Sequence, residues 1–206
     1  MVSSSTKQLI LFLGNAAIHI SWLRVLRTLV SEPITNEETC NASLHPQTLT
    51  ALLVSGIELL NSLLGLTKSK PHQVLLFSAV RAGVEIFLAP LVPCNASVHL
   101  WTVGCWALDG LFRFGIFGLD ALITLCGYGS LPTLKSVRYT VGPLLFPLGA
   151  GGEMFMVIRA AKDGRPHLYF AASLWPVFFY PLMKQLLKQR AKHFKRIKEE
   201  EASKDK

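Results

Sequence analysis

The chain is predicted to be an all-α polytopic membrane protein, a bundle of six transmembrane helices. Half of its 206 residues are hydrophobic and only 17% are charged, whereas a soluble domain of this size carries about a quarter charged residues. Six stretches have the roughly twenty mostly apolar residues that a helix needs to cross hydrocarbon, where no water satisfies backbone groups. The net charge of +8 is also localised: residues 184–206 hold nine Lys/Arg against four acids, leaving twelve against nine in the preceding 183 residues. No broad basic face exists to track phosphates, so nucleic acid is not an expected partner. Disorder, collagen, coiled coil and a disulfide-dense secreted domain are excluded by the same composition.

The first span covers roughly residues 8–30. Lys7 precedes it and no small-x-small cleavage site follows, so it reads as an uncleaved span. The second, roughly 48–66, contains Glu58; the third, 73–92, contains Arg81 and Glu85. The fourth, 98–125, carries Asp109, Arg113 and Asp120; the fifth, 134–161, carries Glu153; the sixth covers 166–187. Buried helices of a soluble bundle would show a similar mixture, but these lengths and the lack of charged outer faces favour spans. The connections carry loop chemistry: Ser31-Glu32-Pro33 through Pro46, Thr67 to Pro71, Pro93 to Ser97, Gly127 to Pro132, and Lys162 to Pro166. Residues 1–187 are thus one membrane domain and 188–206 a basic tail.

Orientation follows from Lys and Arg in the short loops. An even number of spans puts both termini on one side, and the Lys-rich tail makes that side cytosolic. Lys7, Lys68, Lys70 and Lys135 agree; Arg24, Arg27, Lys162 and Arg165 do not. A four-residue echo, Cys40-Asn41-Ala42-Ser43 and Cys94-Asn95-Ala96-Ser97, places an N-x-S sequon in loops one and three. Both loops fall on the opposite side, where glycosylation occurs and an oxidising lumen can join Cys40 to Cys94. Coincidence would produce the same short echo. Cys105 and Cys126, within or at the end of the fourth span, read as inert thiols.

Ionisable side chains inside a span are costly unless they pair or face a wet cavity, which makes each a functional candidate. Arg81 and Glu85 are four residues apart, as are Asp109 and Arg113, so each pair is expected to neutralise itself on one helical face. Glu58 and Glu153 have no such local partner. An unpaired interior carboxyl is a candidate general acid or base. Glu153 also stands in the most unusual segment of the chain, Phe146-Pro147-Leu148-Gly149-Ala150-Gly151-Gly152-Glu153. Pro147 removes a backbone donor, and the glycines allow close approach of another backbone or of a thin apolar substrate.

This segment, with Arg138-Tyr139-Thr140 before it, resembles the fifth-span signature of the very-long-chain 3-hydroxyacyl-CoA dehydratases, also called the protein tyrosine phosphatase-like A family. Other residues agree in order: Asn15 and Trp22; Ile57-Glu58-Leu59-Leu60 with Leu64-Gly65; Arg81; Trp106 and Arg113; and Tyr180-Pro181 with Gln189-Arg190. The resemblance covers nearly the whole chain, although the family's Ser-Arg pair is present only loosely, as Ser78 and Arg81. It implies a multi-pass protein of the endoplasmic reticulum that removes water from (3R)-3-hydroxyacyl-CoA during fatty-acid elongation. The implied partners are long-chain 3-hydroxyacyl-CoA, membrane lipid and other elongation enzymes. No metal and no cofactor are expected.

Carried onto this chain, the family mechanism makes Glu153 the base that abstracts the proton alpha to the thioester. The family's catalytic tyrosine falls on Phe146, which keeps the ring and lacks the hydroxyl. Phe114 and Phe117 also replace family tyrosines. Arg81, Arg113 and Arg138 are candidates for the CoA phosphates or thioester, and Gly149 and Gly152 for the wall of the acyl pocket. Interfacial snorkelling or ion pairing would account equally for the arginines. Three readings stay open: a dehydratase using Glu153 with a substitute acid (a water, Tyr180 or an arginine-bound group), a non-catalytic relative that scaffolds the elongation complex, and a proton-coupled carrier. The carrier explains buried acids but not the fifth-span segment. The family's phosphatase label implies no such activity, because the chain has no Cys-x5-Arg loop.

Overall fold

A computed structural model describes residues 3–31, 34, 36–67, 69–129 and 131–204. Glu32 and Pro33 of the first loop, Lys68 and the terminal Asp205-Lys206 lie outside the described residues. Six α-helices account for almost all of the remainder: α1 (Ser4–Ser31), α2 (Glu37–Leu63), α3 (Pro71–Gly83), α4 (Ser97–Leu125), α5 (Pro132–Lys162) and α6 (Leu168–Lys204). No strand occurs among the described residues. Among the described residues, three segments are long and apolar enough to cross a membrane: Ser4–Ser31, Pro71–Leu91 and Thr133–Lys162. The chain is therefore an all-α polytopic membrane protein, as its composition predicts.

Neighbouring helices run antiparallel. On α1, Trp22 meets Ser55 of α2 while Thr28 meets Gln47. Along α4, Gly110, Gly115 and Gly118 lie against Trp22, His19 and Asn15 respectively. The series continues with α4 on α5 and α5 on α6. The core is centred on α1 and α4, through Ile18, Trp22, Val25, Val103, Trp106 and Phe114. Gly110 is required there. A Cβ at that position would overlap the indole of Trp22, so only glycine lets the two helices close.

Two elements differ from the sequence expectation. The first loop was expected to reach Pro46, yet α2 begins at Glu37 and runs through it. Asn36 caps the helix by accepting from the Thr39 amide at 2.8 Å, and Glu37 and Glu38 complement the positive end of the helix dipole. Those signals outweigh one missing donor at Pro46. The third span, expected as one helix over 73–92, changes its winding: after Gly83 come a π-helical turn, Val84–Leu88, and a 3-10 turn, Ala89–Leu91. Pro90 explains the break, since its ring cannot donate to the carbonyl of Ile86 in an α-helix.

Pro143 and Pro147 both lie within α5, and Pro176 and Pro181 within α6. Trp175 of α6 donates its indole N–H to the Ala150 carbonyl at 2.9 Å, tying these two helices together beside the glycine-rich segment. The described part of the basic tail continues α6 as one helix. At the opposite end of the bundle, Cys40 at the start of α2 and Cys94 just before α4 form a disulfide, with Cα atoms 5.7 Å apart. Cys105 is a buried free thiol and Cys126 an exposed one.

Candidate active site

The buried charges occupy layers along the bundle axis, and the middle layer contains Glu153. This side chain is buried at the α4–α5 interface, where its Oε1 accepts the indole N–H of Trp106 at 2.8 Å. Trp106 is itself fully buried, so the bond is shielded from solvent. The Arg81 guanidinium lies 5.9 Å from the centre of the Trp106 ring and donates through Nη2 to Asp109 Oδ2 at 2.8 Å. A carboxylate, an indole, a guanidinium and a second carboxylate thus form a continuous polar chain across α5, α4 and α3.

The expected pairing within helices is corrected here. Arg81 pairs with Asp109 rather than Glu85, and Arg113 pairs with Glu58 of α2 rather than Asp109. Glu58 therefore has a partner, supplied by another helix. The reason is reach: long arginine side chains span the gap between packed helices, so a bond across it can replace the local one. Between these pairs is a small cavity of about 30 Å³, lined on one hand by Ser55, Glu58, Ser78, Arg81 and Arg113 and on the other by the apolar Leu52, Phe77 and Phe114. That volume is enough for a water with several polar partners.

Two glycines expected in a pocket wall lie against α4. A Cβ on Gly152 would overlap Thr102 Oγ1 and stand 3.2 Å from Thr102 Cα, so its absence is what brings Glu153 up to Trp106. At Gly149 a Cβ would make ordinary contact with Trp106 Cδ1 at 3.6 Å. Gly152 also borders an outward-facing groove of about 550 Å³, with Trp101, Phe155 and Ile158 along it and Arg159 and Lys162 toward its end.

Phe146, seven residues before Glu153 and so about 10.5 Å away along the helix, belongs to the next layer. Its ring stacks on Phe179 of α6 at 5.2 Å and meets Phe77 of α3 edge-on at 5.5 Å. Phe117 and Tyr139 flank the Arg138 guanidinium at 4.7 and 4.5 Å. Arg138 lies fifteen residues from Glu153, about 22 Å along the helix, and so does not join Arg81 and Arg113. Phe114 is buried under Arg113. Tyr169 and Tyr180 of α6 are exposed, at 45% and 66%, on the outer face of the bundle.

A third layer, near the disulfide, escaped the sequence reading. Glu85 is fully buried on the π-helical turn, with Oε1 2.6 Å from His45 Nδ1 and Oε2 3.3 Å from His99 Nε2. Neither histidine lies within four residues of Glu85 in sequence. The signal was Glu85 itself, because a buried acid without its local arginine needs donors from elsewhere.

The family model described as "Protein tyrosine phosphatase-like protein, PTPLA" matches residues 52–196, well over half of the chain. The matched region contains the fifth-span segment and the pairs made by Glu58, Arg81, Asp109 and Arg113. No curated protein and no solved structure matches.

Proposed function

Because the chain belongs to the PTPLA family of very-long-chain 3-hydroxyacyl-CoA dehydratases, we propose that it is a membrane lyase converting (3R)-3-hydroxyacyl-CoA to trans-2-enoyl-CoA in fatty-acid elongation. The observation that carries the reading is the buried Glu153 carboxylate, held by Trp106 beside Arg81. Glu153 takes the alpha proton of the substrate. The departing 3-hydroxyl needs a proton of its own, and Phe146 has none to give. Tyr180, the other candidate, is 66% exposed. A water in the Arg81–Arg113 cavity would fill that role, protonating the hydroxyl so that it leaves as water, and the hydroxide left behind would take back the proton that Glu153 removed, which regenerates both groups. Acid and base assistance of this kind contributes roughly 10²- to 10⁴-fold each. Arg138 would meet the CoA phosphates from the cytosolic mouth. The protein would reside in the endoplasmic reticulum membrane with both termini cytosolic, among other elongation enzymes.

One observation favours a second reading. The Phe77–Phe146–Phe179 cluster fills the place of the family hydroxyl with packed rings, which suits a non-catalytic member that scaffolds the elongation complex. Purified protein in detergent, given 3-hydroxyacyl-CoA of several chain lengths, separates the two. Turnover that is abolished in Glu153→Ala supports the lyase. A silent parent that gains turnover as Phe146→Tyr establishes the degenerate enzyme.

A further inference from the structure

The layer around the disulfide brings together residues that the proposed dehydration does not use. Cys40 comes from the start of α2, Cys94 from the turn before α4, His99 from α4, Glu85 from the π-helical turn and His45 from α2. Cys40, Cys94, His99 and Glu85 are buried. The two sulfurs and an imidazole nitrogen lie within 4.8 Å of one another. We propose that Cys40, Cys94 and His99, with the Glu85 carboxylate beside the imidazole, form a zinc site in the dithiol state of the protein, so that the disulfide and the metal are alternative fastenings of the same corner.

The ligand types and their orientation suit zinc. Two thiolates with one imidazole are a common zinc donor set, and a carboxylate is an accepted fourth ligand. His99 Nδ1 donates to the Cys94 carbonyl at 2.8 Å, and ligation through Nε2 requires that nitrogen to give up its bond to Glu85. Such a backbone carbonyl is the usual outer partner that fixes the tautomer of a metal-binding histidine. Nε2 is 3.3 Å from Glu85 Oε2. His45 holds the other carboxylate oxygen at 2.6 Å, and its own side chain is 27% exposed, giving the ion a route from the surface.

Opening the site consumes two electrons and two protons from a dithiol: the Cys40–Cys94 bond breaks, two thiols form, and the donor becomes a disulfide. Zinc then displaces the two thiol protons, so binding releases protons to solvent.

The test uses the full chain in detergent with Cys126→Ser throughout, which removes the exposed thiol as a competing ligand. Protein reduced with a non-chelating phosphine is equilibrated with zinc, freed of excess and assayed for bound metal; cobalt substitution is followed by the thiolate-to-cobalt charge-transfer band. The expected result is one zinc per reduced chain, none in the oxidised chain, and a cobalt band in the reduced chain only. Cys40→Ser and His99→Ala should each lose the metal, and Glu85→Gln should weaken binding by about tenfold or more. A reduced parent that binds no zinc overturns the proposal without reliance on any variant. So does zinc uptake that is unchanged in Cys40→Ser.

Discussion

Trp106 and Glu153 are joined across the α4–α5 interface by an indole N–H to carboxylate bond of 2.8 Å, with both side chains buried. The bond aims a single oxygen of the carboxylate. Trp106→Phe keeps the ring and removes the donor. A hydrogen bond to a charged group is worth about 1.5–3 kcal/mol, so turnover should fall roughly 10- to 100-fold with little change in KM. Steady-state kinetics on the variant check this, and an unchanged kcat would remove Trp106 from the positioning of Glu153.

Gly152→Ala places a methyl group into Thr102. Overpacking of this kind costs about 1–3 kcal/mol. The variant should unfold earlier in a denaturant titration in detergent, and Thr102→Ala in the same chain should recover part of the loss. Full recovery is not expected, because the Thr102 backbone Cα also stands close.

The Arg81–Asp109 pair crosses from α3 to α4 with both side chains 16% exposed. Removing one partner leaves a buried charge unmatched, at a cost of about 3 kcal/mol. Arg81→Met and Asp109→Asn should therefore each destabilise more than the double variant. A double-mutant cycle in thermal unfolding reads the coupling. If the i, i+4 pairing within α3 governed stability instead, Arg81→Met and Glu85→Gln would show that coupling.

The thiol count is a direct check of the disulfide. Of four cysteines, Cys105 and Cys126 are free and Cys40 and Cys94 are bonded. Denatured, unreduced protein should take up two equivalents of a maleimide tag, and reduced protein four. Cys40→Ser should raise the unreduced count to include Cys94.

Much of the architecture was legible in the sequence because burial in hydrocarbon leaves a compositional mark. The six helices follow the six apolar stretches, and Glu153 was conspicuous as an acid among glycines. What was illegible depends on packing between helices. Spacing of four residues suggested Arg81–Glu85 and Asp109–Arg113, since neighbours along one helix are all that spacing can show. The observed partners, Asp109 for Arg81 and Glu58 for Arg113, are fixed by how α2, α3 and α4 lie together. His45 and His99 were missed for the same reason. Pro46 misled in the other direction: a loop-forming residue by habit, it sits inside α2 because the Asn36 cap had already started the helix.

The antiparallel seam between α1 and α4 also sets an order of events during synthesis. Asn15 and Trp22 are buried with α4 against them, and His19 Nδ1 donates to the Leu111 carbonyl at 3.1 Å, ninety-two residues further along. Asn15 already donates to the Leu11 carbonyl of its own helix, whereas the partner of His19 is on α4, so a first helix without α4 would lack that acceptor. A nascent chain halted before α4 therefore carries its own mark of incompleteness, a histidine without that acceptor, which disappears when the fourth helix arrives.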